Sequence, residues 1–181
     1  MASIFISYRR DDSAGHAGRL FDRLREQFGG EGAPGVFMDV EGIAPGTDFV
    51  QAIHKAVSGC GVVLAVIGPA WCDCTDAQGR RRLDDREDFV RLEIASALEL
   101  SKVVVPVLVH DARMPTEEQL PQDLKTLARR QAVTLTDTNW DSDVAQLVGT
   151  LRQALGAVSR TGSEENFWQR MVKLLSRPVP I

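Results

Sequence analysis

Gly61-Val-Val-Leu-Ala-Val-Ile67 is the stretch of this sequence that decides the fold. A continuous apolar run that is rich in β-branched residues is typical of a strand buried on both faces of a parallel sheet. Gly68-Pro69 follows directly and ends the run, because neither residue continues a strand well. We therefore expect a central strand here, in a sheet that carries helices on both of its faces.

Further strands and helices alternate along the chain around this central strand. The strands are expected at residues 3–7, 35–39, 103–109 and 132–135, and the helices at residues 14–28, 47–58, 88–98, 122–129 and 144–155. Thr47 or Gly46 is expected near the N-cap of the second helix, Asp141 or Ser142 at that of the last, and Pro106 at a bulge or strand end. This alternation predicts an α/β fold of flavodoxin-like type, an open five-stranded parallel sheet with helices on both faces.

Length and composition fit a single soluble domain with an appendage. The chain has 181 residues, of which 44% are hydrophobic and 25% charged, and its formal net charge is -4. This negative balance argues against nucleic acid as a partner. No apolar run reaches the roughly 18 residues that a membrane span needs. We expect no membrane partner and a cytoplasmic location, since no basic leader precedes the first strand.

The cysteines and the known phosphate-binding motifs give no sign of a metal or cofactor. Cys60 is expected to be buried at the start of the central strand, and Cys72 and Cys74 to lie in the loop that follows it. No further Cys or His stands at ligand spacing from this pair, so no metal site is predicted. The dinucleotide-binding Gly-x-Gly-x-x-Gly and Walker A sequences are absent. The central strand also ends without the Asp that a receiver domain would phosphorylate.

The predicted helix at residues 88–98 carries one acidic residue in an unexpected place. Its core-facing positions, at roughly 100° per residue, are Val90, Ile94, Ala97 and Leu98. Arg91 and Glu99 mark the side expected to face water. Glu93 lies on about the opposite side, in a row with Phe89, Ser96 and Leu100. We interpret this row as the lining of a cleft and Glu93 as its working acid.

Three polar loops are expected to meet at the carboxyl ends of the strands, where sheets of this type bind ligands. They comprise residues 8–13, 39–46 and 68–85. The first contains Arg9 and Arg10, whose guanidinium groups suit a phosphate. The second contains an exposed apolar residue, Ile43, as a protruding contact loop would. These features together predict an anionic, ring-containing ligand that lies against Glu93.

Three separated motifs resemble the TIR (Toll/interleukin-1 receptor) domain, especially its bacterial type. They are Phe5-Ile-Ser-Tyr-Arg-Arg10, Asp39-Val-Glu-Gly-Ile-Ala-Pro-Gly46 and Asp88-Phe-Val-Arg-Leu-Glu-Ile-Ala-Ser-Ala-Leu98, in that order. The resemblance covers about residues 3–155. It implies the TIR fold and, from the NAD-cleaving branch of the family, cleavage of the nicotinamide–ribose bond. NAD+ would then be the substrate, with no separate cofactor, and the product linear ADP-ribose or a cyclic isomer.

The resemblance also implies roles for individual residues. The third motif carries the family's aromatic-x-x-x-Glu pattern, which assigns the catalytic role to Glu93 and places Phe89 where the family usually has tryptophan. The residues expected to bind the substrate are Ser7, Tyr8, Arg9, Arg10, Glu41 and Phe89. The loop residues expected to dock on another TIR domain are Ile43, Ala44, Pro45 and Gly46. Such docking would build a homo-oligomer or filament whose neighbouring subunits complete the NAD+ pocket.

The remaining predictions concern domain organisation and context. Residues 1–156 are expected to form the TIR domain, 157–163 a linker, and 164–181 an amphipathic helix with a proline-containing tail. This helix would pack back on the domain, begin a further one or dock on a partner. A fused or associated sensor or effector domain and a role in bacterial immunity or signalling, including antiviral defence, follow from the resemblance. The alternative to an enzyme is a non-catalytic adaptor, which would have no need for an acid at position 93.

Overall fold

The computed structural model describes residues 3–30, 35–38 and 48–156. Several predictions concern positions outside these residues and are not addressed by the fold. They are the linker at 157–163, the helix at 164–181, and Glu41, Ile43, Ala44, Pro45, Gly46 and Thr47.

The described strands form one parallel sheet of five strands in the order β2-β1-β3-β4-β5. The strands are β1 (Ser3–Ser7), β2 (Val36–Met38), β3 (Cys60–Ile67), β4 (Val103–Val109) and β5 (Val133–Leu135). Every residue of β3 is buried, which confirms the central strand expected from its apolar run. The predicted flavodoxin-like sheet with helices on both faces is confirmed.

The helices follow the predicted order, with changes at their ends. They are α1 (Arg10–Phe28), α2 (Phe49–Ser58), α3 (Phe89–Glu99) and α4 (residues 140–156), together with short 3-10 helices at Arg82–Asp84, Glu117–Gln119 and Gln122–Arg129. Asp48 is the N-cap of α2, where its side chain accepts hydrogen bonds from the Val50 and Gln51 backbone N–H groups. Because α4 already begins at residue 140, Asp141 and Ser142 lie in its first turn and do not precede it as caps.

Side chains alternate across the sheet and build two separate cores. The even-numbered residues of β1 and, from Val62 onward, of β3 face a first cluster, where Leu20 of α1 and Leu147 of α4 pack. The odd-numbered residues of β3 face a second cluster, which includes Ile53 of α2, Ile94 of α3 and Leu124 of the last 3-10 helix. Each face of the sheet is therefore covered by its own pair of helices, as a parallel sheet requires.

Pro106 lies inside β4 and not at a bulge or strand end as predicted. It is in register with Ala65 of β3. The neighbouring strand β5 begins its pairing opposite Val107, one position later. The missing N–H of the proline therefore costs no hydrogen bond to β5.

A carboxylate joins the start of α1 to the end of β3. Asp12 accepts hydrogen bonds from the backbone N–H groups of Gly68 and Ala70, each at 2.8 Å. The two elements approach closely at this point, because a Cβ added at Gly68 would lie 2.5 Å from the Asp12 carboxylate. Glycine at position 68 is thus required by space, and its sequence neighbour Pro69 starts the loop that leads to α3.

Gly68→Ala should lower the free energy of unfolding by roughly 1–3 kcal/mol, because the new methyl group displaces the Asp12 carboxylate from its two donors. Gly149→Ala is the matched control, since Gly149 is an exposed position of α4 where an added Cβ meets nothing within 4 Å. That change should raise the free energy of unfolding by up to about 1 kcal/mol. Urea denaturation of both variants provides the comparison. Equal stability of Gly68→Ala and the wild type would contradict the close contact.

Candidate active site

The N-terminus of α3 is held by a buried ion pair between Arg9, just after β1, and Asp88. The Arg9 guanidinium donates to both carboxylate oxygens of Asp88, at 3.0 and 2.9 Å. The side chains of Arg9 and Asp88 are 0% and 2% exposed. The same carboxylate caps the helix, because Asp88 Oδ1 accepts from the backbone N–H of Arg91 at 3.0 Å. One carboxylate therefore fixes both the position and the first turn of α3.

The loop between β3 and α3 encloses this ion pair. Arg9 Nε donates to the carbonyl oxygen of Trp71 at 3.0 Å, and its guanidinium lies 5.7 Å from the centre of the buried Trp71 ring. A second cation approaches from the same loop, since Arg82 Nε lies 3.3 Å from Asp88 Oδ2. Arg81 secures the loop further by donating to the carbonyl oxygens of Cys72 and Gln119.

This geometry corrects the role expected of Arg9. A guanidinium that is buried, with Nε and both terminal nitrogens engaged by Trp71 and Asp88, does not offer a fork to a phosphate. Arg9 instead supports the site from below by positioning α3. Arg10, the other arginine of this pair, is exposed at the first position of α1. The two adjacent arginines therefore differ, because Arg9 is a buried structural residue and Arg10 is exposed to solvent.

Arg91 is also more buried than predicted. It was expected on the water-facing side of α3, yet it is 8% exposed. Its Nε bonds Asp123 at 3.0 Å, and its Nη1 bonds the carbonyl oxygens of Leu83 and Asp84 at 3.0 and 3.1 Å. The reason is that the loop before α3 and the 3-10 helix after β4 fold over this side of the helix and supply acceptors.

Phe89 and Glu93 lie on the side of α3 that faces α2. The Phe89 ring meets the Phe49 ring edge to face, with 5.2 Å between the ring centres and an interplanar angle of 86°. Glu93 follows one turn later on the same side of the helix. The two differ in exposure, since Phe89 is 49% and Glu93 7% exposed. A half-open aromatic ring therefore borders a nearly buried carboxylate. Ser96, further along this row, is half-buried.

Ser7 and Tyr8, both expected at the floor of the site, face opposite sides of the sheet. Ser7 is 1% exposed and, by strand alternation, shares a face with Phe5 of the second cluster, beneath α2 and α3. Tyr8 packs against the first cluster, on the side of α1 and α4. The structure therefore brings only Ser7 beneath the helix that carries Glu93. Tyr8 is corrected to the opposite face.

The thiols near the site have the properties of packed side chains. Burial is the main cause that raises the pKa of Cys72 and Cys74 in the loop after β3, and it also raises the pKa of Cys60. The expected burial of Cys60 at the start of β3 is confirmed. A raised pKa keeps a thiol protonated and unreactive near neutral pH. Within the described residues, no group of His, Cys, Asp and Glu is arranged to hold a metal ion.

Sequence reasoning did not find three residues that shape this site, namely Asp88 as the partner of Arg9, Trp71 and Phe49. Asp88 does carry a local signal, because Asp directly before an amphipathic stretch is a common N-cap. Its partner lies 79 positions away, which no local pattern encodes. Phe49 carries no signal of its own, since an aromatic residue at a helix start is most simply a core residue.

A model of the family described as TIR domain matches residues 4–148. The chain belongs to the TIR-domain family. The match spans every described strand from β1 to β5 except the first residue of β1, and it includes the Arg9–Asp88 pair and Glu93. Among the described residues of this TIR domain, no helix has the length and apolarity to cross a membrane.

The chain is also similar to two known proteins. A protein of Brachypodium distachyon, named as a probable 2' cyclic ADP-D-ribose synthase, is 27% identical over 189 residues, which cover 96% of this chain and 75% of that protein. The TIR domains of the activated Roq1 resistosome, solved as it directly recognises the pathogen effector XopQ, superpose with a TM-score of 0.56 at 16% identity. That alignment covers 86% of this chain and 99% of the other, and shows the shared fold.

Asp88→Ala and Arg9→Ala should each lower the free energy of unfolding by about 3–5 kcal/mol, because each leaves a buried charge without its partner. The double variant should cost less than the sum of the two single changes, since neither charge then remains. Glu117→Ala is the control, because its 2.7 Å pair with Arg129 is exposed and should leave unfolding unchanged. Chemical denaturation would measure all four variants. An Asp88→Ala variant as stable as Glu117→Ala would refute the anchoring role.

Proposed function

We propose that this TIR domain cleaves the nicotinamide–ribose bond of NAD+, with Glu93 as the catalytic residue. The observation that carries the proposal is the placement of Glu93. Its carboxylate is nearly buried, and one turn before it stands the half-exposed ring of Phe89. The site is at an open parallel sheet, where ligands of this fold class bind. The name of the Brachypodium relative, a probable 2' cyclic ADP-D-ribose synthase, supports the same substrate class.

The proposed reaction is a dissociative cleavage. The bond between ribose C1′ and the pyridinium nitrogen breaks, and its electron pair leaves with nicotinamide, which becomes neutral. The positive charge that remains develops on the ribose as an oxocarbenium ion, which the Glu93 carboxylate stabilises. Water then attacks C1′ and loses a proton, which gives ADP-ribose. If a nucleophilic atom of the ADP-ribose part attacks instead, the product is a cyclic isomer.

The surroundings of Glu93 suit this chemistry. A carboxylate that water barely reaches interacts more strongly with a developing cation than one in bulk solvent. The open part of the Phe89 ring offers an apolar surface for an aromatic base of the substrate. The exposed Arg10 guanidinium at the start of α1 would then meet the diphosphate. Glu41, expected near the ribose, lies outside the described residues and enters the proposal from the sequence alone.

An adaptor that acts only through contacts between TIR domains does not need an acid beside Phe89. Burial of an ionisable carboxylate costs free energy, and natural proteins retain such groups where they serve a function or a structural pair. The structural acid of α3 is already present as Asp88, which caps the helix and pairs with Arg9. Glu93 is a second, nearly buried acid on the same helix, one turn from the half-exposed Phe89 ring, and we assign it to catalysis.

Glu93→Gln should abolish NAD+ cleavage, by at least about a hundredfold in kcat, because a neutral amide of the same shape does not stabilise the developing cation. Glu99→Gln is the matched control, since Glu99 is an exposed carboxylate on the same helix. It should keep wild-type activity. Both variants should unfold like the wild type, and nicotinamide release measured by chromatography gives the rates. Activity of Glu93→Gln within about threefold of wild type would remove Glu93 from the mechanism.

We further propose that self-association activates the enzyme, through the sequence loop with Ile43 and Pro45. Specific activity should rise with protein concentration over about a hundredfold range, because mass action on a weak association changes occupancy strongly. Ile43→Asp should lower activity at every concentration and leave the free energy of unfolding unchanged. Nicotinamide release across the dilution series tests both statements. A flat profile together with an active Ile43→Asp variant would show that one subunit holds a complete site.

The biological setting of the proposed activity comes from the sequence resemblance. We place it in bacterial immunity or signalling, with antiviral defence as the specific case, and in the cytoplasm. A fused or associated sensor domain would then control the association of the TIR domains.

A further inference from the structure

The hydroxyl group of Ser7 is buried without a hydrogen-bond partner. The residue is 1% exposed, and its Oγ finds no donor or acceptor among the residues that the structure describes. The large majority of buried side-chain polar atoms in proteins are bonded, and an exception calls for a reason. A hydroxyl in this state destabilises the protein, because it has lost its bonds to water and gained none. Alanine would fit the same space without that cost.

Ser7 lies beneath the part of α3 that carries Glu93. Ser7 and Arg9 are two positions apart and point to the same face of the sheet, which is the face of α3. Arg9 bonds Asp88, so the end of β1 and the start of α3 lie together. From Arg9 back to Ser7 the extended chain covers about 7 Å. From Asp88 to Glu93 the helix rises about 7.5 Å. Because α3 and β1 run in opposite directions, Ser7 and Glu93 lie at about the same height along the strand direction.

The position of Ser7 in the sheet also favours a ligand-binding role. It is the last residue of β1, and its neighbour in register is Ala65 of β3. In the order β2-β1-β3-β4-β5, the chain leaves β1 toward β2 on one side, whereas β3 continues to β4 on the other. The carboxyl ends of β1 and β3 therefore border the crevice where open α/β sheets bind ligands.

We propose that the Ser7 hydroxyl is a substrate-binding group that forms its hydrogen bond with a ribose hydroxyl of bound NAD+. The inference rests on the proposed function, because it places the ribose next to the scissile bond between Ser7 and Glu93. The hydroxyl is closed to bulk water in the free protein, so the entering substrate must displace the side chains that cover it before it supplies the partner. The unbonded Ser7 hydroxyl lowers the stability of the free protein, and its hydrogen bond to the ribose strengthens the binding of the substrate.

The residues around Ser7 favour a neutral sugar hydroxyl over a phosphate as the partner of its hydroxyl group. A phosphate requires cationic donors, and the nearby buried cation, Arg9, is already neutralised by Asp88. A serine hydroxyl can both donate and accept, which matches the hydroxyl groups of a ribose. The carboxamide of nicotinamide is the other neutral group on the substrate, and the experiment separates it from the ribose.

The test compares Ser7→Ala and Ser7→Cys with the wild type. Cysteine keeps most of the volume of serine but is a weak donor, so it separates the hydrogen bond from packing. Ser58→Ala is the control, because Ser58 Oγ is exposed and donates to the carbonyl oxygen of Lys55 at 2.8 Å, at the end of α2. Three quantities are measured for each protein. They are Tm, kcat/KM for NAD+, and the affinities for ADP-ribose and for nicotinamide by calorimetry.

Ser7→Ala should raise Tm by roughly 2–4 °C, because it removes a polar group that is buried and unbonded. The same variant should lose about tenfold in kcat/KM and in ADP-ribose affinity, with Ser7→Cys similarly impaired. Nicotinamide affinity should not change, and Ser58→Ala should match the wild type in activity.

A lower Tm in Ser7→Ala would show that the hydroxyl has a structural partner, such as a buried water, and would overturn the inference. Unchanged kcat/KM and ADP-ribose affinity would overturn it as well. Weakened nicotinamide affinity would also overturn it, because the partner of the hydroxyl would then be the carboxamide. If the wild type does not cleave NAD+, the proposed function fails on its own. The inference then stands or falls on the Ser7-dependent affinity for ADP-ribose, which needs no catalysis.

Discussion

The buried ion pair between Arg9 and Asp88 is the interaction on which the arrangement of the site depends. It joins the end of β1 to the start of α3 across 79 positions of sequence. A buried pair of this kind adds little net stability compared with apolar packing, but it leaves few alternative positions for the elements that it joins. Asp88 bonds Arg9 and caps α3 at once. The helix is therefore fixed in height and in direction relative to the sheet.

The positions of Phe89 and Glu93 follow from this constraint. Phe89 is the first residue of α3 after its cap, and Glu93 stands one turn later on the same side. Phe49, the first residue of α2, touches Phe89 edge to face. The two helices thus begin side by side, and Glu93, one turn beyond Phe89, is nearly buried. On the other side of α3, Arg91 binds Asp123 and two loop carbonyl groups and prevents the helix from turning.

The sequence alone predicts the parts of the structure that local patterns determine. The bounds of β1 and β4 and the parallel sheet with helices on both faces follow from apolar periodicity, because each strand and helix buries its own apolar side. The burial of Arg9 and Arg91 is not predictable in this way. A buried arginine depends on acceptors supplied by distant segments, and a single sequence shows only its charge. The same limit applies to Ser7, whose missing partner is visible only in three dimensions.

The most direct test of the account is incubation of the concentrated wild-type protein with NAD+, followed by chromatographic identification of the products. Nicotinamide should appear in an amount equal to that of ADP-ribose and its cyclic isomer taken together. The ratio of these products would show whether water or an internal nucleophile reaches the ribose. An absence of nicotinamide at every protein concentration, from a protein shown to be folded, would contradict the central claim that the carboxylate beside Phe89 serves the cleavage of NAD+.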